Sequence, residues 1–120
     1  MSLPTSLVAG EALIAGRIVF NDGGVIKYAD SPASGPPYFN VTACASGEIP
    51  QLAELGDNVL MVTDGSAAAN TVLGATTDGV VTSVTITGAT AAWSVGYKSI
   101  ADTGTNLRVV YQPQKHSPAA

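Results

Sequence analysis

Turn-forming residues divide this sequence into short β-prone runs, and no stretch between them carries the 3.6-residue period of an amphipathic helix. The clearest alternation is Val80 to Thr87. There Val80, Thr82, Val84 and Ile86 point one way and Val81, Ser83, Thr85 and Thr87 the other, so one face is core and one is largely wet. Gly, Asp and Asn turns at such short intervals predict about five to eight strands and an all-β fold, a small β-barrel or β-sandwich.

Around that segment the chain divides simply. Residues 1–10 read as an extended N-terminal arm in which Pro4 blocks a helix start. Residues 11–112 read as a single β domain, and residues 113–120 as a polar, Pro-containing C-terminal tail. Ala15 to Phe20 and Val25 to Ala29, joined by Asn21-Asp22-Gly23-Gly24, give the strongest hairpin signal. Ser31 to Pro37 holds three prolines and a glycine, which exclude ladder pairing. Tyr38 to Ala43 reads as a strand with Phe39, Val41 and Ala43 toward the core. Ser46 to Gly56 has room for one helical turn at Leu52-Ala53-Glu54-Leu55, with Gly56 as its stop. Asn58 to Thr63 is almost continuously apolar, as in a strand buried on both sides. Val72 to Ala75 is a further short strand, Ala92 to Ile100 surrounds Trp93 and Tyr97, and Leu107, Val109 and Tyr111 share a face before Pro113 ends the ladder.

Charge and reactive residues narrow the function. At 120 residues the chain has the length of one ordinary domain. Its charged fraction is 12%, against about 25% in a typical soluble protein. A surface made of Thr, Ser, Asn, Gly and Ala solubilises weakly, which fits coverage by a partner. The net charge of −4 argues against a phosphate-tracking surface and hence against nucleic acid. No apolar run spans a bilayer and no signal peptide is evident, so no membrane partner is expected. The single Cys44 and single His116 exclude a Cys/His zinc site. Cys44 reads as buried packing, with no adjacent cation to activate its thiol. His116 reads as an exposed, idle side chain in the tail, without the third group that nucleophilic catalysis needs. Asp22, Asp64 and Asp78 precede or flank glycines as tight turns require, without the ligand spacing of a calcium loop. Asn40-Val41-Thr42 matches a glycosylation sequon but falls inside an expected strand. The aromatics are scattered over separate segments and read as core and interface packing. No catalytic residue, no cofactor and no metal is expected, and the chain reads as a non-enzyme.

Ala9 to Asp30 resembles the opening of the small tailed-bacteriophage capsid decoration (cement) proteins, in which a small-residue strand, a turn and a second strand precede an Asn-Thr-Val-Leu-Gly-Ala segment. Asn70-Thr71-Val72-Leu73-Gly74-Ala75-Thr76-Thr77-Asp78-Gly79 is similar to that later segment. Arg17 stands where the family usually has an acidic residue, and the Pro-rich insert at 31–37 is not matched by the pattern. The resemblance implies a structural virion protein made in the bacterial host cytoplasm and carried on the outer capsid surface. It implies a homotrimer that binds the major capsid protein through extended arms and so stabilises the head. On that reading Leu3, Pro4, Leu7 and Val8 are the capsid-binding residues, and removing residues 2–9 leaves a folded domain that no longer binds heads. The alternative is a carbohydrate-adhesive or head-fibre module displayed on the particle.

Overall fold

The computed structural model describes residues 7–65, 71–84, 92–98 and 106–116. Through them run β1 (Val8–Ala9), β2 (Ile18–Asp22), β3 (Val25–Tyr28), β4 (Tyr38–Phe39), β5 (Asn58–Val62), β6 (Thr71–Ala75), β7 (Val81–Ser83), β8 (Ala92–Ser94), β9 (Gly96–Lys98), β10 (Asn106–Val110) and β11 (Gln114–His116). The only helical piece among the described residues is a 3-10 turn at Thr77–Gly79. The protein is all-β, with a sheet curled into a half-barrel.

The expected hairpin sits at the centre. β2 and β3 pair antiparallel around Gly23 and Gly24, whose φ angles of 64° and 104° suit a tight two-residue turn. The Asn21 side chain closes it by accepting the Gly24 N–H at 2.9 Å. β1 joins β3 in parallel and β4 joins β2 antiparallel, giving the order β1-β3-β2-β4. Successive strand residues face opposite ways, so β2 places Ile18 in one cluster and Val19 in another, each fully buried. The larger cluster contains Phe39, Met61, Leu73, Val81, Val95, Leu107, Val109 and Tyr111. The smaller holds Ala9, Leu13, Val19, Ile26 and Cys44, with Leu7, Tyr28, Tyr38 and Leu52 against it. β7-β6-β9 and β5-β10 complete the wall of the larger cluster, and β8 pairs with β11.

Two glycines let these layers approach. A Cβ at Gly79, where φ is 74°, would run into the Ile18 backbone, so only glycine lets the 3-10 turn seat on β2. At Gly96 a Cβ would stand 2.5 Å from Val109 Cγ1, so β9 and β10 pass closer than any side chain allows.

Several expectations fail for identifiable reasons. The N-terminal arm does not extend to residue 10: Val8 and Ala9 form β1 against Val25 and Ile26, and Ala9 exchanges hydrogen bonds with Glu48 (2.7 Å) and Gly47 (2.8 Å). Leu7 and Val8 therefore pack within their own chain; Leu3 and Pro4 lie outside the described residues. The strand expected over 38–43 stops at Phe39. Asn40 turns inward instead, fully buried, and its Nδ2 donates to the carbonyls of Ile14 (3.0 Å) and Thr42 (2.9 Å). Val41 and Ala43 are left exposed. No helical turn forms at 52–55, where Leu52 bridges to Asn40 and the Ala53 N–H donates to the Phe39 carbonyl. On β7 the deeply buried residue is Val81, on the face opposite to the one carrying Val80 and Val84; Thr85 to Thr87 lie outside the described residues.

The C-terminal tail is also corrected. β10 ends at Val110, and after Tyr111, Gln112 and Pro113 the chain enters a new ladder as β11, pairing with β8. His116 is half-buried there and its Nε2 lies 3.0 Å from the Ser94 hydroxyl, so it is not the exposed tail residue expected from the sequence. Leu107, Val109 and Tyr111 do share the core face, as their spacing implied.

Candidate binding surface

The chemical residues picked out above are placed singly. Cys44 is buried in the smaller cluster; burial, and then the Glu48 carboxylate, push its thiol above its usual range, which suppresses the reactive thiolate. Ser94, beside His116, is 3% exposed, so its hydroxyl is closed to a substrate. Among the described residues no three His, Cys, Asp or Glu come together in a way that could hold a metal ion. No helix of the described residues is long and apolar enough to cross a membrane.

What the fold does display is an apolar outward face on β5 and β10. Directly opposed residues of an antiparallel pair share a face. Met61 with Leu107 and Val59 with Val109 therefore point inward, while Leu60 with Arg108, Val62 with Asn106 and Asn58 with Val110 point outward. Leu60 is 46% exposed and Val110 43%. Beside them Ala15, Gly16, Val41 and Leu60 help line a shallow hollow of about 390 Å³. Its rim is built by hydrogen bonds: Val62 N–H donates to the Gly16 carbonyl at 2.8 Å, Gly16 N–H to the Asn40 carbonyl at 2.9 Å, and the buried Asn40 amide holds the Ile14 carbonyl. Ile14, 55% exposed, is carried on that same loop.

The continuous run NVLMVT hid this face. With no polar residue between Val59 and Val62, periodicity could not separate a strand covered on both sides from one covered on one. The available signal lay in β10, where Asn106, Arg108 and Val110 alternate with the core residues and mark the outward side of the partner strand.

A second concavity, of about 250 Å³, lies between the proline loop, the 53–55 segment and the β8–β11 end of the molecule. Its walls are Pro36, Pro37, Tyr38, Ala53, Leu55, Trp93, Tyr111 and Pro113. The Tyr111 hydroxyl donates to the Pro37 carbonyl at 2.6 Å, and burial, followed by the neighbouring Tyr38, holds that hydroxyl above its ordinary pKa.

The two segments that carry the resemblance to decoration proteins meet in space. The 3-10 turn that ends the second is tied to the first by Gly79 N–H to the Ala29 carbonyl (2.8 Å), Asp78 N–H to Asp30 Oδ1 (3.0 Å) and Arg17 Nη1 to the Asp78 carbonyl (3.3 Å). The Arg17 guanidinium also stands 5.7 Å from the centre of the Tyr28 ring, so the residue that departs from the family pattern packs within this junction. No family model, no curated protein and no solved structure matches the chain.

Proposed function

We propose that this chain is a structural virion protein that sits as a homotrimer on the outside of a bacteriophage head and clamps neighbouring major capsid subunits, with no catalytic role. The observation that carries the reading is the outward face of β5 and β10. There Leu60 and Val110 stand open to solvent beside an apolar hollow, on a chain with few charges to solubilise it. The junction of the two decoration-like segments supports the same reading. With Leu7 and Val8 committed to the fold, the grip on the capsid moves from the arm to this face.

The test is co-sedimentation with empty heads that lack the protein. Wild type pellets with the heads, while Leu60→Lys with Val110→Lys stays in the supernatant at an unchanged melting temperature, because both side chains are solvent-facing. Wild type that fails to pellet refutes the capsid role, and pelleting of the double variant refutes the face as the grip. Light scattering on the free protein and a density map of decorated heads test the trimer; monomers in both overturn it.

A further inference from the structure

We infer that the cleft walled by Tyr38, Trp93 and Tyr111 is a binding site for an extended, proline-containing peptide segment with basic residues at one end. This inference is independent of the capsid reading.

The cleft is preformed. Four chain segments that meet there are fastened by hydrogen bonds: Tyr111 Oη to the Pro37 carbonyl at 2.6 Å, Trp93 N–H to the Pro32 carbonyl at 2.7 Å, and Gly56 N–H to the Tyr111 carbonyl at 2.9 Å. Tyr111 N–H in turn donates to the Asp57 carbonyl at 2.8 Å, so the Glu54–Asp57 turn is locked to the cleft wall. A ligand entering such a site does not have to order it first. Its volume, about 250 Å³, is below the roughly 300–1,000 Å³ that encloses a whole small molecule, so it suits side chains projecting from a longer ligand.

The walls select the chemistry. They are aromatic and proline rings with Ala53 and Leu55 between them; Tyr38 and Trp93 are half-buried and offer their rings, while Tyr111 forms the buried floor, its hydroxyl already spent on Pro37. A sugar, which needs several hydrogen bonds as well as a stacking surface, is poorly served. A polyproline II segment is well served, because it arrives pre-ordered, solvates its own backbone and offers flat rings to aromatic faces. Charge then orients it. Leu55, which lines the cleft and is 65% exposed, is flanked by Glu54 and Asp57, while Lys115 is the cross-strand partner of Trp93. The basic end of the segment therefore lies toward Glu54 and Asp57, away from Lys115, and the chain's net charge of −4 favours a cationic ligand overall.

Trp93 is the only tryptophan in the chain, so its fluorescence reports the cleft directly. Three probes are titrated into the full-length protein: decaproline ending in two arginines, decaproline ending in two glutamates, and maltohexaose. The arginine peptide is expected to give a saturable spectral shift with affinity about tenfold above that of the glutamate peptide, a gap that narrows in about 0.5 M salt. Leu55→Ser, at an exposed position, weakens binding of both peptides. Glu54→Gln with Asp57→Asn keeps the turn's hydrogen-bond acceptor and abolishes the preference between them. No saturable shift with the arginine peptide, equal affinity for the two peptides, or a response to maltohexaose in their place overturns the inference. The assay contains no heads, so its failure and a failure of head binding are separate results.

Discussion

Cutting the chain before Leu7 and cutting it before Gly10 are expected to give different proteins. Loss of residues 1–6 leaves β1 and its pairing with β3 in place. Loss of residues 1–9 removes β1, and its cost can be set out from the contacts. Ala9 is 2% exposed and Leu7 and Val8 are half-buried, together roughly 150 Å² of apolar surface or about 4 kcal/mol at about 25 cal/mol per Å². The bonds of Ala9 to Glu48 and Gly47 add about 1 kcal/mol each. Against this, three residues no longer have to be ordered, which returns about 4 kcal/mol at roughly 1–1.5 kcal/mol per residue. The net loss is about 2 kcal/mol, equivalent to a fall in Tm of about 8 °C for a domain of this size. Cys44 supplies a second readout because it is the only cysteine and packs in the cluster that Ala9 covers. Its reaction with a thiol reagent stays slow in the shorter deletion and accelerates in the longer one. Equal melting temperatures and equal thiol reactivity in the two proteins refute the assignment of residues 7–9 to the fold and return them to the arm.

Tyr111→Phe strands the Pro37 carbonyl and is expected to cost about 1–2 kcal/mol in urea unfolding. The same variant changes the alkaline limb. The Tyr111 pKa is raised in the folded state, so above its unfolded value of 10.0 the unfolded chain releases a proton that the folded chain keeps. Stability conferred by this group is complete below pH 10 and declines above it by up to about 1.4 kcal/mol per pH unit, a slope the Phe variant lacks. Gly79→Ala is expected to cost about 3 kcal/mol or more, since left-handed strain is joined by collision with the Ile18 backbone. Gly23→Ala, with nothing within 4 Å of the new Cβ, costs only about 1 kcal/mol. Similar losses in the two would remove the close approach as the reason for glycine at 79. His116→Ala loses the bond to Ser94 and is expected to cost about 1 kcal/mol while head binding persists; a folded variant without binding would show that the β8–β11 pair carries function.

The elements that were readable in the sequence are those in which one local rule acts without competition. Asn21 to Gly24 shows a turn because two successive positive φ angles suit glycine, and Leu107, Val109 and Tyr111 show a core face because their two-residue spacing is flanked by Asn106, Arg108 and Gln112. The misreadings occur where a tertiary contact outweighs the local pattern. Asn40 looks like the wet side of a strand, yet its Nδ2 donates to the carbonyls of Ile14 and Thr42 while its Oδ1 is buried without a hydrogen-bond partner, and meeting those carbonyls breaks the strand and turns Val41 outward. Pro113 looks like an end because it cannot donate, but only Tyr111 to Pro113 lie between β10 and β11, and Gln114 pairs with Ser94 in a new ladder immediately afterwards.

The binding surface was harder to read than the fold because both of its concavities are assembled from distant segments. Ala15, Val41, Leu60 and Asn106 meet only once the Asn40 amide has drawn the 14–16 loop onto β5, and no spacing within any one segment encodes that meeting. The aromatic cleft depends likewise on Pro37, Trp93 and Tyr111, three residues brought together by hydrogen bonds that join positions 37 to 111 and 32 to 93. Read singly, each aromatic is an unremarkable packing residue. What distinguishes the cleft from core is that Leu55, on its rim, is still 65% exposed in the folded chain and is flanked by two carboxylates that a buried position would not tolerate. The low charge of the chain, legible from the outset, therefore has a spatial counterpart: of the large apolar residues left open, Ile14, Val41, Leu60 and Val110 lie at or beside the β5–β10 face and Leu55 on the rim of this cleft, where a partner can cover them, while Ile49 and Tyr97 are open as well.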